Sequence, residues 1–253
     1  MAVPETTRDD WPAPRGELSL TGEEVHVWRA SLECPEPILL RLRRTLTHDE
    51  EARARRFHFK KDRNHYAAAR GLLRLILSSY AKCPPEALRF GYSPYGKPFL
   101  ESECGPGGLR FNVSHSHGMA LFAVARGREV GVDIEFMRDD LEYMEIAAGF
   151  FSPREVATLG SLPPEMRAQA FFNCWTRKEA YIKARGEGLS HPLHDFDVTL
   201  APGEEAALTY AGNDPLEVNR WSMRALSPRS GFRAAVVVEG GDFNLSLWQW
   251  REP

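Results

Sequence analysis

Ser114-His115-Ser116-His117-Gly118 runs into seven apolar residues, Met119 to Ala125. Ser227-Pro228-Arg229-Ser230-Gly231 runs in the same way into Phe232 to Val238. Each reads as a turn feeding a buried strand. A second pair of motifs lies at nearly the same offset. Thr47-His48-Asp49-Glu50 and Ser152-Pro153-Arg154-Glu155 both have the form of a capping box, the second with proline at the favoured first helical position. Each box precedes a long helical pattern, one ending in Tyr66 to Leu77 and the other running from about Ala168 to Ala184. Strands are expected at Glu24 to Ala30, Leu88 to Tyr92, Phe111 to Ser114, Ala120 to Ala125, Glu129 to Glu135 and Phe196 to Leu200, with two more late in the chain. Two copies of a unit of roughly 110 residues predict an α+β pseudodimer of two similar halves with a ligand site in the cleft between them. Coincidence between common turn and capping motifs is the competing explanation. The expected division is an extended lead-in at 1–24, an N-terminal half at 25–126 and a C-terminal half at 127–253.

The remaining bulk properties narrow the class. The chain has 253 residues, 43% hydrophobic and 26% charged, enough apolar material for a core and too much for a disordered chain. No apolar stretch exceeds seven residues, against the roughly 20 of a bilayer span, and the N-terminus lacks a secretory pattern. Cys34, Cys83, Cys104 and Cys174 form no CxxC pair, which removes zinc-ribbon and thioredoxin-like readings. They are expected as buried or half-buried thiols in a reducing, cytoplasmic setting. Residues 41–75 hold eleven Lys and Arg against four Asp and Glu. Such a run is either a solvated helix face or a surface for a polyanion.

Three stretches could carry chemistry. In Val130-Gly131-Val132-Asp133-Ile134-Glu135, strand alternation puts both carboxylates on one face, and they repel unless a cation or water separates them. An exposed polar face explains that pair equally well. On the helix around Trp175, the residues Trp175, Glu179 and Lys183 recur every four positions and share a face; an ordinary Glu–Lys helix pair also accounts for that spacing. Taken together, Asp133, Glu135 and Glu179 form an all-oxygen set suited to magnesium over zinc. The third stretch is Gly91 to Pro98, where Pro94 and Gly96 present Lys97 on a fixed turn. It is followed by Ser114, His115 and Ser116, whose donors suit a phosphate. A Ser–His nucleophile pair is disfavoured because adjacent residues do not face each other and no GxSxG elbow exists. A metal held by His115 and His117 is weaker still, and His117 reads as a loop or core histidine.

These motifs resemble those of the Sfp-type 4′-phosphopantetheinyl transferases. The matching stretches are Tyr95-Gly96-Lys97-Pro98, Phe111 to Ser116, Gly131 to Glu135, and Trp175 to Lys183 followed by Gly186-Glu187-Gly188-Leu189, in the family's order over about residues 25–240. The resemblance implies transfer of the phosphopantetheine arm of coenzyme A to a serine of an acyl or peptidyl carrier protein, with release of adenosine 3′,5′-bisphosphate. It implies Mg²⁺ held by Asp133, Glu135 and Glu179. Glu179 or a metal-linked water would take the serine proton, and Lys183 would stabilise or protonate the departing phosphate. Ser114, His115 and Lys97 would hold coenzyme A phosphates. Lys60 and Arg74, with Arg70 as a weaker candidate, would serve the 3′-phosphate and adenine end.

A carrier would dock on Phe136, Met137, Arg138 and Tyr143 to Phe151, unless those apolar residues are core. The long, internally duplicated chain implies a monomer. A non-catalytic module that binds coenzyme A or a carrier is the alternative, opposed by the presence of all three carboxylates and Lys183. Neither a nucleic acid nor a membrane is an expected partner. Removal of Asp133 is expected to relieve repulsion and cost little stability.

Overall fold

The computed structural model describes residues 11–101, 107–188, 191–212 and 214–252. Cys104, Leu189 and the first ten residues of the lead-in lie outside them. The first part of the chain runs β1 (Glu24–Ser31), α1 (Glu36–Arg43), α2 (His48–Arg55), α3 (Lys60–Ala81), β2 (Phe90–Tyr92), β3 (Pro98–Leu100), β4 (Leu109–Ser116) and β5 (Met119–Arg126). The second runs β6 (Val130–Phe136), α4 (Tyr143–Phe150), α5 (Pro153–Ser161), α6 (Pro164–Arg185), β7 (Phe196–Val198), β8 (Leu208–Ala211), α7 (Pro215–Arg220), β9 (Trp221–Leu226) and β10 (Phe232–Glu239). A last strand, β11 (Asn244–Gln249), follows. Helices and sheets are mixed, as an α+β chain requires.

Two sheets carry the fold. One has the order β11-β1-β5-β4 and the other β6-β10-β9. Without β11, the first sheet reads β1-β5-β4, so in each sheet the first strand of its segment pairs with the last. Each sheet is backed by one 22-residue helix, α3 on the first and α6 on the second. Alternation assigns the faces. Val25 and Val27 of β1 and Leu121, Ala123 and Ala125 of β5 meet Val130, Val132 and Ile134 of β6 and Val236 and Val238 of β10 in a core between the sheets. Trp28, Ala30, Phe122 and Val124 turn the other way, onto Leu72, Ile76 and Tyr80 of α3. The result is four layers, helix–sheet–sheet–helix.

Both capping boxes form. Glu50 N donates to Thr47 Oγ1 at 3.5 Å and Thr47 N to Glu50 Oε2 at 2.9 Å. Glu155 N donates to Ser152 Oγ at 3.2 Å and Ser152 N to Glu155 Oε2 at 2.9 Å. Each capping glutamate also receives a buried cation from the long helix that follows it. Arg74 of α3, 1% exposed, grips Glu50 through Nε at 2.8 Å and Nη2 at 2.9 Å. Lys178 of α6, 0% exposed, pairs with Glu155 at 2.8 Å. Buried charges survive only when paired and hydrogen-bonded. Arg74 completes its set on the carbonyls of Pro85 and Leu88, and Lys178 on those of Leu193 and Phe196.

Helix α6 begins at Pro164, ahead of the expected Ala168, because a proline at the first helical position needs no hydrogen-bond acceptor. Strand β11 departs most from expectation. It lies parallel to β1, pairing Glu24 with Asn244 through Arg29 with Gln249, so the last strand belongs to the first sheet. Cys174 is buried, and Cys34 and Cys83 are half-buried. No helix of the described residues is long and apolar enough to cross a membrane.

Candidate active site

The site is built where the edge strands β4 and β6 meet. They share no backbone ladder. Alternate side chains of β4 reach across instead. Asn112 Oδ1 accepts from Val132 N at 2.9 Å, and Ser116 Oγ accepts from Phe136 N at 3.2 Å. Between them, Ser114 Oγ donates to Asp133 Oδ1 at 2.8 Å, while Ser116 Oγ donates to Glu135 Oε2 at 2.9 Å. The sequence reading had offered Ser114 and Ser116 to a phosphate. Here both hydroxyls, buried in the seam, are spent on carboxylates.

Helix α6 supplies the opposite wall. It can approach because β6 has Gly131 at the crossing: a Cβ there would lie 2.1 Å from Ala180 O and 2.3 Å from Ala184 N. That close approach brings Lys183 Nζ to Asp133 Oδ1 at 2.5 Å and Ser114 Oγ at 2.9 Å. Asp133 is 3% exposed, and its second oxygen, Oδ2, is buried with no partner. Burial first, then the charge of Asp133, with Glu179 adding to it, pushes the Glu135 carboxyl above its ordinary value. Burial and Asp133 push Glu179 up as well. The three acids are therefore close enough to repel one another.

Three carboxylates against one ammonium leave an excess of negative charge in a partly dry place. That donor set fits a hard divalent cation, and the orphaned Asp133 Oδ2 is an acceptor such an ion would satisfy. Among the described residues, however, no group of three or more His, Cys, Asp and Glu side chains is placed so that it could hold a metal ion. The Lys183 ammonium sits on Asp133 in this arrangement.

The expected coenzyme A residues divide into groups. His115 is exposed at the end of β4; the surrounding protein, then Lys183 and His65, holds its imidazole below the ordinary histidine value. Lys60 is exposed at the start of α3. The next residue, Lys61, pairs with Glu33 at 3.6 Å, and Glu33 lies against the Gly118 turn. The N-terminal end of α3 thus faces the His115 side of the site.

Arg74 belongs elsewhere. Expected at the adenine end, it is enclosed with its donors committed to Glu50 and two carbonyls, so a ligand does not reach it. Arg70 is tied to the same Glu50 and lies 3.9 Å from the centre of the Phe90 ring. Lys97 is turned inward, with Nζ on Glu129 Oε2 at 2.7 Å and Ala184 O at 2.8 Å.

Asn112 was not expected as a site residue, and Ser116 was expected on a phosphate rather than on Glu135. Their alternation with Ser114 along one strand was readable, but that the strand lies beside β6 was not. His117 takes a positive φ of 46° in the β4–β5 turn and packs on Phe136 at 4.7 Å. Of the expected docking stretch, Ala147 and Phe151 are core, Arg138 pairs with Asp140 at 2.8 Å, and Phe150 is exposed beside Trp175, 5.8 Å between rings.

A family model described as 4′-phosphopantetheinyl transferase superfamily matches residues 129–237, and one described as 4′-phosphopantetheinyl transferase, N-terminal, matches 30–126. The chain belongs to this family of transferases. Among individual relatives, it is 40% identical over 240 residues to the 4′-phosphopantetheinyl transferase HetI of Nostoc sp., covering 95% of this chain and 98% of that protein. It is 31% identical over 196 residues to the 4′-phosphopantetheinyl transferase Sfp of Bacillus subtilis (strain 168), covering 77% and 83%. Among solved structures, the Helicobacter pylori holo-acyl-carrier-protein synthase (AcpS) in complex with coenzyme A overlaps 44% of this chain and 99% of its own, with a TM-score of 0.34 and 23% identity.

Proposed function

We propose that this chain transfers the 4′-phosphopantetheine moiety of coenzyme A to a serine of an acyl or peptidyl carrier protein and releases adenosine 3′,5′-bisphosphate. The observation that supports the reading is the Lys183–Asp133 contact across β6 and α6, with Asp133 Oδ2 left unsatisfied and Glu135 and Glu179 within electrostatic reach of Asp133. Asp133, Glu135 and Glu179 would hold Mg²⁺, displacing the Lys183 ammonium from Asp133. Bound there, the ion would neutralise charge on the coenzyme A pyrophosphate.

Glu179, or a water on the bound ion, would take the proton of the carrier serine. The serine oxygen bonds to the phosphorus that bears the pantetheine arm, and the bond from that phosphorus to the bridging oxygen breaks. Lys183 then donates a hydrogen bond or proton to the departing phosphate. His115, with Lys60 at the start of α3, would receive the nucleotide's phosphates. Exposed Phe150 beside Trp175 offers the carrier an apolar contact near Glu179.

The halves 25–126 and 127–253 are read as a duplicated unit. Matching strand order, two capping boxes and the paired buried cations Arg74 and Lys178 support this. Because both halves contribute to one seam, a monomer suffices.

The test is mass spectrometry of several apo-carrier proteins incubated with the chain, coenzyme A and Mg²⁺. A mass gain of one phosphopantetheine on the carrier is expected, dependent on the divalent ion. No gain on any carrier would overturn the reading and leave a binding module.

A further inference from the structure

The ammonium of Lys97 ends in an unexpected place for a residue matched to phosphate binding. Lys97 leaves a tight hairpin, in which Ser93 N donates to Lys97 O at 2.9 Å, Lys97 N donates to Ser93 Oγ at 3.1 Å, and Gly96 adopts a φ of +84°. Its stem then crosses Gly186, where a Cβ would meet Lys97 Cδ at 3.0 Å. Gly186 closes α6 in the left-handed conformation, so the lysine lies against the end of that helix.

Two acceptors hold the head group. Ala184 O is a carbonyl of the last turn of α6, where a cation is favoured by the unsatisfied acceptors and the helix dipole. Glu129 immediately precedes β6, and its other oxygen accepts from Arg110 Nε at 2.7 Å. One ammonium therefore links the β2–β3 hairpin, the start of β6 and the end of α6. The side chain next to Ala184 is Lys183, and β6 carries Asp133. A cavity of about 300 Å³, lined by Ser93, Lys97, Phe99, Arg110, Glu129 and Arg185, opens beside this link. For Lys97 to bind a phosphate it would have to abandon Glu129 and leave that carboxylate to Arg110 alone.

We propose that the Lys97 side chain is a positioning element, a strut that fixes the spacing of β6 and α6 and so the Lys183–Asp133 contact, rather than a phosphate ligand. The inference rests on the transferase reading.

Glu129→Gln separates the two roles, because it removes the partner's charge while leaving the lysine in place, at a half-exposed position. Lys97→Met, which keeps the stem and deletes the charge, is its companion. As a strut, either change lowers kcat at saturating coenzyme A by roughly tenfold or more, the scale seen when supporting hydrogen bonds around a site are removed. The KM for coenzyme A, and its affinity by calorimetry, stay within about threefold of wild type. The double variant then falls little below either single one. The opposite pattern would overturn the inference: a weakened affinity with kcat kept in Lys97→Met, and a tightened affinity in Glu129→Gln as the freed ammonium turns to phosphate. Failure of the transferase reading would be distinguishable, since it would show as an inactive wild-type chain.

Discussion

At the level of single residues, Asp133 and Arg74 show how far side-chain chemistry depends on surroundings. Read along the strand, Asp133 is a repelled edge acid whose removal costs little. In the fold it is buried and accepts from both Lys183 and Ser114. Hydrogen bonds to charged groups contribute about 1.5–3 kcal/mol each, while loss of repulsion from Glu135 and Glu179 offsets part of that. Asp133→Ala is therefore expected to destabilise by about 1–2 kcal/mol, and Asp133→Asn by less, because it keeps an acceptor for Ser114. Both should lose at least about a hundredfold in kcat/KM with Asp133 in the proposed ligand set, the loss of a metal ligand exceeding that of an outer-shell partner. Urea titrations alongside carrier-modification rates check the two effects separately. Arg74 belonged to a charge run that suggested a polyanion site. Its burial against Glu50 makes it structural, so Arg74→Met should cost about 1–3 kcal/mol for the charged hydrogen bonds lost, Glu50 keeping Arg70 and the Thr47 cap. Its surviving folded fraction should keep the wild-type KM for coenzyme A. A raised KM without lost stability would return Arg74 to the ligand set.

Among elements, the decisive contact is that of β6 with α6, and Gly131 sets its distance. A Cβ at that position would strike the backbone of α6, which no rotamer change relieves. Gly131→Ala should cost at least about 1–3 kcal/mol as an overpacking change. It should also lower activity beyond the loss of stability, because Lys183 moves away from Asp133. Thermal melts compared with kcat at a temperature where the variant is fully folded would detect this. Much of this arrangement was legible beforehand. The two carboxylates do share a face of β6, the Trp175–Glu179–Lys183 face was readable from spacing, and both capping boxes form as read. The seam could not be read. Strand periodicity gives the face of a residue but not the neighbour of an edge strand, so Ser114 and Ser116 looked like free donors. The cationic stretch at 41–75 could be sorted only in part for a similar reason. Counting charges does not reveal that Arg70 and Arg74 share Glu50, that Arg43 pairs with Glu51, or that Arg41 pairs with Glu252.

For the whole molecule, the crowded acids couple stability to pH and, with Mg²⁺ held as proposed, would couple it to the metal as well. Glu135 and Glu179 titrate above their ordinary value of 4.5 in the folded chain. The fold therefore binds their protons more tightly than the unfolded chain does. Their contribution is most favourable below that value and is lost as pH rises through the raised folded values. A divalent cation takes the deprotonated form, so its stabilisation should grow over the same interval. At Mg²⁺ about 100-fold above its Kd, the Tm should rise by roughly 5–10 °C near neutral pH. The increment should shrink toward zero as the pH approaches 4.5. A pH-independent increment in a series of melts with and without Mg²⁺ would place the ion elsewhere.

The course of β11 has a further consequence for biosynthesis. During translation β1 leaves the ribosome ahead of the rest of its sheet, yet its outer neighbour is not made until Asn244 to Gln249 have been polymerised. Until then the nascent chain carries a strand with one bare side, open to pairing with another copy or a chaperone. Completion of the first sheet is thus deferred until the second has been synthesised, which ties the maturation of both sheets to a single late event.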